Sequence, residues 1–317
     1  MKYRILGKTG LKVSEIGFGA WAIGGNRHGN SYGPVDDEES LRAIQYAYNS
    51  GCNFFDTADL YGHGHSEEVL GNFIKNADRD KIIIATKVGC DFYGYSLKLN
   101  FSEEYINIAI NESFKRLNTD YIDIYQLHNP PLNLIQNGQI FEIMQELKKQ
   151  GKIRYFGICI DEAHEGIEAI KWGVDTIQAM YNVLEPDIGN ELFEYTERYN
   201  VGLIAREPLS NGILSGKYTE NTYFPFGDIR HAWPMSYLRH RVNSAKVLKR
   251  FLRDDIDTLT KLALKFALSN KAVDVVIPGC KNLEQTMENM AISEISDLNE
   301  DEIYKMLHLQ SRKFDTY

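Results

Sequence analysis

The sequence lacks the segments that mark a membrane protein or a chain of separate units. It has no run of about eighteen apolar residues, and its start, MKYRILGKTGLKVSEIGFG, has no basic region followed by an apolar stretch. It also has no low-complexity segment, no block of like charge and no linker rich in Ser, Gly or Pro. We therefore expect a cytoplasmic chain that forms a single domain over residues 1–317 and has no membrane partner.

Cysteine is scarce, and positive charge is not in excess. None of the four cysteines, Cys52, Cys90, Cys159 and Cys280, has the close CxxC spacing that zinc or dithiol chemistry uses, so we expect reduced, mostly buried thiols and no metal. The net charge of −9 argues against a nucleic-acid partner. Any site for an anion must be built locally, and the oligomeric state stays open.

The sequence does contain a repeated pattern, in which a short apolar or β-branched run precedes a segment of helical periodicity. Helical segments begin near Asp36, Ser66 and Ser102. This alternation predicts parallel strands, either in a barrel or in a doubly wound open sheet. The eight strand-like runs lie at 16–21, 53–57, 81–86, 121–127, 154–158, 176–181, 202–205 and 273–277.

A missing phosphate-binding loop decides between the two folds. A doubly wound dinucleotide-binding domain should show GxGxxG directly after its first strand, whereas Gly17, Gly19, Gly24 and Gly25 have the wrong spacing and no helix follows at once. We therefore predict an α/β fold of the (β/α)8 TIM-barrel type. The opening YRILGKTGLKVSEI predicts an N-terminal β-hairpin that plugs the lower end of the barrel.

Four side chains suited to acid–base chemistry follow three successive strands. The segments NFFDTADLYG, IATKVG and DIYQLHNP place Asp56, Tyr61, Lys87 and His128 at strand ends on one rim. Each residue alone could have an ordinary structural role. Together they form a carboxylate, a phenol, an ammonium and an imidazole around one cavity, which indicates a catalytic site.

These motifs resemble those of the aldo-keto reductase family, and the likeness runs from GKTGLKVSEIGFGAW to IPGCKNLEQTMEN. The resemblance implies that the four residues are the catalytic tetrad, that the cofactor is NADPH/NADP and that the substrate is a small aldehyde or ketone. In such enzymes a hydride passes from the nicotinamide to the carbonyl carbon while the tyrosine protonates the oxygen. One alternative is an NADPH-binding sensor or regulatory subunit with little turnover, which would not need the tetrad. A TIM-barrel isomerase or lyase would need carboxylate or metal clusters at the rim.

The chemistry of a tyrosine acid assigns a role to each of its neighbours. A free tyrosine has a pKa of about 10, and burial raises it further. An ammonium at about 4 Å opposes that shift, so Lys87 is expected to lower the pKa of Tyr61. Asp56 would keep the lysine charged. His128 would orient the substrate oxygen and join a proton relay at acid pH.

The candidate cofactor contacts follow the same rim. By resemblance, Gln178 holds the carboxamide and the segment from Gly19 to Trp21 lies beside the nicotinamide. Glycines in PLSNGILSGKY allow the backbone to approach a pyrophosphate, and a helix that begins near Lys281 suits an adenosine 2′-phosphate. The predicted cofactor contacts are Gly19, Ala20, Trp21, Asp56, Gln178, Arg206, Pro208, Leu209, Gly212, Leu214, Ser215, Lys217, Gly279, Lys281, Gln285 and Asn289.

The expected substrate pocket has aromatic walls. The insert at 221–241 is rich in aromatic residues and arginine, and we interpret it as a lid, although its aromatics could equally fold the loop onto the barrel. The predicted substrate-pocket residues are Trp21, Tyr61, Phe92, Tyr93, His128, Asn129 and Trp233.

Two segments depart from the family pattern. GICID puts Cys159 and Ile160 where many relatives carry a Ser-Asn pair, so part of the usual grip on the carboxamide is missing. IAREPL puts Arg206 where many relatives carry a tyrosine. A cation there is expected to disfavour NADP⁺ relative to NADPH, unless Glu207 neutralises it.

Overall fold

The computed structural model describes residues 1–28, 31–94 and 96–314, so residues 29, 30, 95 and 315–317 of the predicted domain lie outside the described part. The strands are β1 (Tyr3–Ile5), β2 (Lys12–Ser14), β3 (Phe18–Gly19), β4 (Phe54–Asp56), β5 (Ile83–Val88), β6 (Cys90–Asp91), β7 (Lys98–Leu99), β8 (Ile122–His128), β9 (Ile153–Ile160), β10 (Thr176–Met180), β11 (Gly202–Arg206) and β12 (Val275–Ile277). The helices are α1 (Asp37–Asn49), α2 (His65–Ile74), α3 (Glu103–Leu117), α4 (Leu132–Asn137), α5 (Gln139–Lys149), α6 (Ala163–Lys171), α7 (Ile188–Arg198), α8 (Met235–Leu248), α9 (Leu259–Ser269), α10 (Leu283–Ala291) and α11 (Glu300–Ser311).

Eight parallel strands form a barrel surrounded by helices, which confirms the predicted fold. The hydrogen-bonded order is β3, β4, β5, β8, β9, β10, β11 and β12. Parallel bridges from Ile16 to Val276 and from Gly19 to Gly279 join the two ends of this sheet. Each predicted strand run overlaps an observed strand, and β6 and β7 form an additional antiparallel pair after β5.

The predicted N-terminal hairpin is present, and it packs against the inside of the barrel. β1 pairs antiparallel with β2, with Tyr3 opposite Ser14. Apolar side chains of this hairpin join a buried cluster with barrel residues such as Phe54 and Ile204. Gly7 in the turn has φ +43°, and a Cβ there would lie 2.3 Å from the backbone nitrogen of Gly202, so only glycine fits.

Side-chain caps fix the starts of two of the predicted helices. Asp36 accepts a hydrogen bond from the Glu39 amide at the start of α1, and Ser102 accepts one from Tyr105 at the start of α3. The helix expected near Ser66 begins at His65, and the Ser66 hydroxyl does not cap it but donates to the Ala20 carbonyl. This bond ties the helix to the loop after β3.

The four cysteines are free and buried, as the sequence predicted. Within residues 1–28, 31–94 and 96–314, no helix has both the length and the apolar character needed to span a bilayer. The same ranges contain no group of three or more His, Cys, Asp or Glu residues placed to hold a metal ion.

Candidate active site

The lysine of the predicted tetrad is the centre of a compact cluster at the carboxyl ends of β4 and β5. The Lys87 ammonium donates to Oδ1 of Asp56 at 2.5 Å, to the carbonyl of Thr57 at 2.8 Å and to the hydroxyl of Tyr61 at 3.0 Å. An ammonium has three protons to donate, so these contacts use its full capacity. The side chain of Lys87 is 0% exposed, and therefore Tyr61 presents the cluster to the cavity while the lysine lies behind it.

Burial is the main influence on the phenol. It raises the pKa of Tyr61 to about 12, and the opposing charge of Lys87 offsets only part of this effect. The expectation that Lys87 sets a lowered pKa is therefore wrong in its net result, because desolvation of the phenolate outweighs the attraction. Burial by itself would lower the pKa of Lys87. The charges of Asp56 and Tyr61 outweigh this effect, so the pKa of the ammonium is raised. At neutral pH the site therefore holds a protonated phenol beside a charged lysine.

The histidine of the tetrad lies across the cavity from the phenol. The rings of His128 and Tyr61 are 6.0 Å apart between centroids and nearly perpendicular. Burial, followed by the charges of Lys87 and Arg206, lowers the pKa of His128 to about 3. A pKa this low disfavours the expected proton relay at acid pH, because the neutral imidazole is then the main form above about pH 4. Its Nδ1 atom is buried and has no hydrogen-bond partner among the described residues.

Two carboxamides hold the aspartate of the cluster. Oδ2 of Asp56 accepts hydrogen bonds from Nε2 of Gln178 at 2.7 Å and from Nε2 of Gln126 at 3.3 Å. Gln178, predicted to hold the carboxamide of the cofactor, thus directs its amide nitrogen at Asp56 while still lining the cavity. Gln126 was not predicted, although it lies two residues before His128 in β8 and therefore on the same face of the strand.

One cavity of about 700 Å³ connects this cluster with the loop after β11 and the start of α10. Among the predicted cofactor contacts, Ala20 and Leu214 are buried away from it. The cavity is lined by the other predicted contacts, which are Gly19, Trp21, Asp56, Gln178, Arg206, Pro208, Leu209, Gly212, Ser215, Lys217, Gly279, Lys281, Gln285 and Asn289. Trp21, Tyr61, His128, Asn129 and Trp233 of the predicted substrate pocket line it as well.

Phe92 and Tyr93 are not among the residues that line the cavity. They lie in the turn between β6 and β7, which carries them to one side. There they continue a stack of rings from His28 and His63, with neighbouring centroids 4.4 to 4.8 Å apart. The hydroxyl of Tyr93 accepts a hydrogen bond from Arg116 at 3.0 Å. The sequence placed both rings correctly after a barrel strand but could not show the hairpin that turns them away.

The insert at 221–241 lies against the loop that follows β3. Ile229 donates a backbone hydrogen bond to Ser31, and the Arg230 guanidinium lies over the rings of Tyr32 at 4.4 Å and Phe224 at 4.3 Å. Phe224 and Trp233 pack against the core, whereas Tyr223 and Phe226 are exposed. Arg230 and Trp233 also line the cavity, and the role of the insert as a lid stays a prediction. Tyr32 was not predicted, because contacts with distant residues such as Arg230 and Asn211 bring it to the site.

The predicted phosphate-binding end of the cavity contains a lysine that is already oriented. Nζ of Lys281 donates to the carbonyl of Tyr32 at 3.1 Å. Asn282 caps α10 by accepting from the Gln285 amide, and Lys217 lines the same region. The two lysines supply positive charge beside the start of α10, as an anionic part of a ligand would require.

Arg206 has two carboxylate partners. Its Nη1 atom pairs with Glu207. Its Nη2 atom donates to Oδ1 of Asp161 at 2.6 Å and to the carbonyl of Ile160 at 3.2 Å. From the sequence, Glu207 alone was identified as a residue that could neutralise the charge of Arg206. Both carboxylates contact the guanidinium, which weakens the basis for a cationic bias against NADP⁺, and the bias itself stays a prediction. Asp161 was not predicted as a site residue, and no motif singles it out.

The structure thus brings together a buried Asp–Lys–Tyr cluster and a histidine at the carboxyl-terminal rim of a TIM barrel. The chain belongs to the aldo/keto reductase family, whose model matches residues 15–309. Members of this family use nicotinamide cofactors and act on small carbonyl compounds.

Individual relatives and a solved structure agree with this assignment. The chain is 32% identical to the aldo-keto reductase YhdN of Bacillus subtilis, with 93% of this chain and 89% of the relative covered. It is 30% identical to an NADH-specific methylglyoxal reductase of Escherichia coli, and the match covers 93% of this chain and 94% of the relative. It is also 30% identical to a Schizosaccharomyces pombe protein named as a candidate voltage-gated potassium channel subunit beta. That match covers 96% of this chain and 92% of the relative. The holo form of aldo-keto reductase AKR11C1 from Bacillus halodurans superposes with a TM-score of 0.82 at 30% identity. The superposition covers 98% of this chain and 96% of that structure.

Proposed function

We propose that the protein reduces an aldehyde or ketone to an alcohol with NADPH, and that Tyr61 is the general acid. The observation that carries the proposal is the 3.0 Å contact between the Tyr61 hydroxyl and a fully buried Lys87 ammonium at the wall of the cavity. A purely structural tyrosine does not need a buried cation at its hydroxyl. Burial of a lysine is costly in free energy, and Lys87 is buried only together with its partner Asp56. The presence of this buried pair beside a cavity indicates a function.

The cavity fits a dinucleotide with its reacting ring near the tetrad. A bound nicotinamide supplies the hydride. Trp21 and Gly19 would lie beside the ring, the backbone around Gly212 and Ser215 would hold the pyrophosphate, and Lys281 would bind a 2′-phosphate. The run of cavity-lining residues from the tetrad to α10 supports this assignment.

The proton then comes from the Tyr61 hydroxyl. When the phenol gives its proton to the substrate oxygen, a phenolate forms 3.0 Å from the Lys87 ammonium, which stabilises it. Asp56 keeps the ammonium in place and charged. The neutral imidazole of His128 can donate one hydrogen bond to the substrate oxygen and so orient the carbonyl.

A cofactor-binding regulatory subunit is the second candidate, since one relative is named as a channel subunit. The two functions differ in turnover. A panel of neutral aldehydes and ketones should oxidise NADPH catalytically in the presence of the chain if it is a reductase. Tight cofactor binding without turnover on any member of the panel would favour the regulatory subunit.

The pH dependence of the reaction should follow from the protonation states of Tyr61 and His128. With the Tyr61 pKa at about 12 and the His128 pKa at about 3, neither group changes protonation between about pH 6 and pH 9. The acid form of Tyr61 dominates below its pKa, so kcat for reduction should be nearly constant over this range. Oxidation of the alcohol needs the phenolate and should rise with pH by up to tenfold per unit. A fall in the reduction rate with an apparent pKa near 7 would contradict these assignments.

Removal of the lysine at the far end of the cavity should distinguish the two cofactors. A charge-assisted hydrogen bond to a 2′-phosphate contributes about 1.5 to 3 kcal/mol, so Lys281→Ala should weaken NADPH binding by roughly 10- to 100-fold. NADH has no 2′-phosphate, and its affinity should change about twofold or less. Fluorescence titration of both cofactors measures this difference. Lys271→Ala removes an exposed lysine elsewhere and is the matched control. Equal losses for NADPH and NADH would mean that Lys281 does not bind the phosphate.

A further inference from the structure

A group of charged residues on the cavity wall takes no part in the proton chemistry. It consists of Asn129, Asp161, Arg206 and Glu207, all of which line the cavity, and we call it the acidic corner. Asn129 directly follows His128 and donates to Oδ2 of Asp161 at 2.9 Å. The corner therefore adjoins the residue that would orient the substrate.

The acidic corner carries one more negative than positive charge. Its single guanidinium is held by two carboxylates, and the Arg206 side chain is only 16% exposed. Asp161 is the open member, with 62% of its side chain exposed. A ligand in the cavity therefore meets a carboxylate, while both Nη atoms of the arginine are already bonded and its Nε atom, which has no partner among the described residues, is buried.

The nearby ion pairs do not offset this charge. Lys87 is neutralised by Asp56, and Arg241 makes two hydrogen bonds to Glu185. The other basic residues that line the cavity are Lys217, Lys281 and Arg230, and Arg230 is paired with Asp228. Asp161 is therefore an exposed carboxylate beside the residue that follows His128.

The corner is close enough to the reacting centre to act on a substrate. Asn129 directly follows His128 and donates a hydrogen bond to Asp161, and the charge of Arg206 lowers the pKa of His128 after burial and Lys87, so both charged side chains lie near the imidazole. Cys159 pairs with His128 between β9 and β8, and Asp161 follows two residues later. Short distances and partial burial make such charge interactions stronger than they are in water.

We propose that the acidic corner makes the enzyme selective for neutral or cationic carbonyl compounds and disfavours those that carry a carboxylate or phosphate, with Asp161 as the main determinant. This inference rests on the proposed function. An anionic substrate would approach the Asp161 carboxylate without a free guanidinium to bind it. A neutral substrate of the same shape would not incur this repulsion.

The test compares two aldehydes of nearly equal shape, the anionic 4-carboxybenzaldehyde and the neutral 4-formylbenzamide. In the wild type, kcat/KM should favour the amide by about fivefold or more, as expected for one charge at several ångströms in a partly solvated site. Asp161→Asn should reduce this ratio by about fivefold. The ratio should also fall when salt rises from about 20 mM to about 500 mM, because salt screens the repulsion.

The substitution is mild, and a matched control is available. The new amide keeps an oxygen for Arg206, and the buried Oδ1 of Asn129, which has no partner, can accept from its nitrogen after a flip of the Asn129 amide. Glu162→Gln removes one negative charge from the adjacent exposed residue, which does not line the cavity, and should leave the ratio unchanged.

The possible results separate this inference from the proposed function. Equal reduction of both aldehydes by the wild type, or a ratio that neither Asp161→Asn nor salt changes, would overturn the charge selection and leave the reductase intact. A preference for the carboxylate would overturn it as well. If neither these aldehydes nor simpler neutral ones are reduced with NADPH or NADH, the proposed function fails and the selectivity falls with it.

Discussion

Replacement of Tyr61 by phenylalanine should lower kcat/KM for carbonyl reduction by roughly 10²-fold or more. A positioned general acid contributes about 10² to 10⁴ in rate, and phenylalanine has no proton to give. NADPH affinity should change little. The fold should also persist, because Lys87 keeps its bonds to Asp56 and to the Thr57 carbonyl when the phenol oxygen is removed.

A control for Tyr61→Phe must remove a hydroxyl elsewhere. Tyr121 lies just before β8, at the opposite end of that strand from His128, and Tyr121→Phe should leave reduction unchanged. Steady-state kinetics and a cofactor titration on both variants separate loss of chemistry from loss of binding. Near-normal turnover by Tyr61→Phe would show that another group supplies the proton.

Replacement of Lys87 by methionine should have two large effects, on stability and on catalysis. The lysine and Asp56 are both almost fully buried, so the substitution leaves an uncompensated carboxylate inside the barrel. Breaking a buried pair in this way costs about 3 to 5 kcal/mol of unfolding free energy. Reduction should also fall by at least 10²-fold, since the phenolate left after proton donation would lose its stabilising charge.

A second substitution distinguishes the two effects. In the double variant Lys87→Met/Asp56→Asn the buried charge is gone, so more than half of the lost stability should return while the activity stays low. Urea denaturation and steady-state kinetics on the single and double variants give the coupling between the two sites. An unfolding free energy unchanged by Lys87→Met would mean that the pair is not buried as described.

The barrel and the tetrad were accessible from the sequence because both depend on order along the chain. Alternating strands and helices without a phosphate-binding loop favour a barrel, and carboxyl ends of parallel strands share one rim. Residues at the carboxyl ends of strands, such as Asp56 and His128, therefore come together independently of the conformation of the loops. The cavity-lining positions of Gly212 and Lys281 follow from the same rule.

The remaining features depend on contacts between distant segments. Tyr32 lies at the site because its loop contacts the insert near Arg230 and its hydroxyl donates to Asn211, whereas Phe92 lies away from the cavity because a hairpin follows β5. The sequence indicated that burial and Lys87 shift the pKa of Tyr61 in opposite directions, but not that burial has the larger effect, because the degree of burial depends on the complete cavity wall. The contact of Arg206 with Asp161 could not be predicted either, since Asp161 comes from the end of a different strand.

The most direct test of the account uses NADPH that carries deuterium in place of the transferable hydrogen on the nicotinamide ring. After turnover of a neutral aldehyde, mass spectrometry of the alcohol shows where the deuterium has gone. The account predicts that the wild type places it on the former carbonyl carbon, in equal amount to the NADP⁺ formed, and that Tyr61→Phe forms this labelled alcohol at least 10²-fold more slowly. An alcohol without the label, or labelled alcohol formed equally fast by Tyr61→Phe, would contradict it.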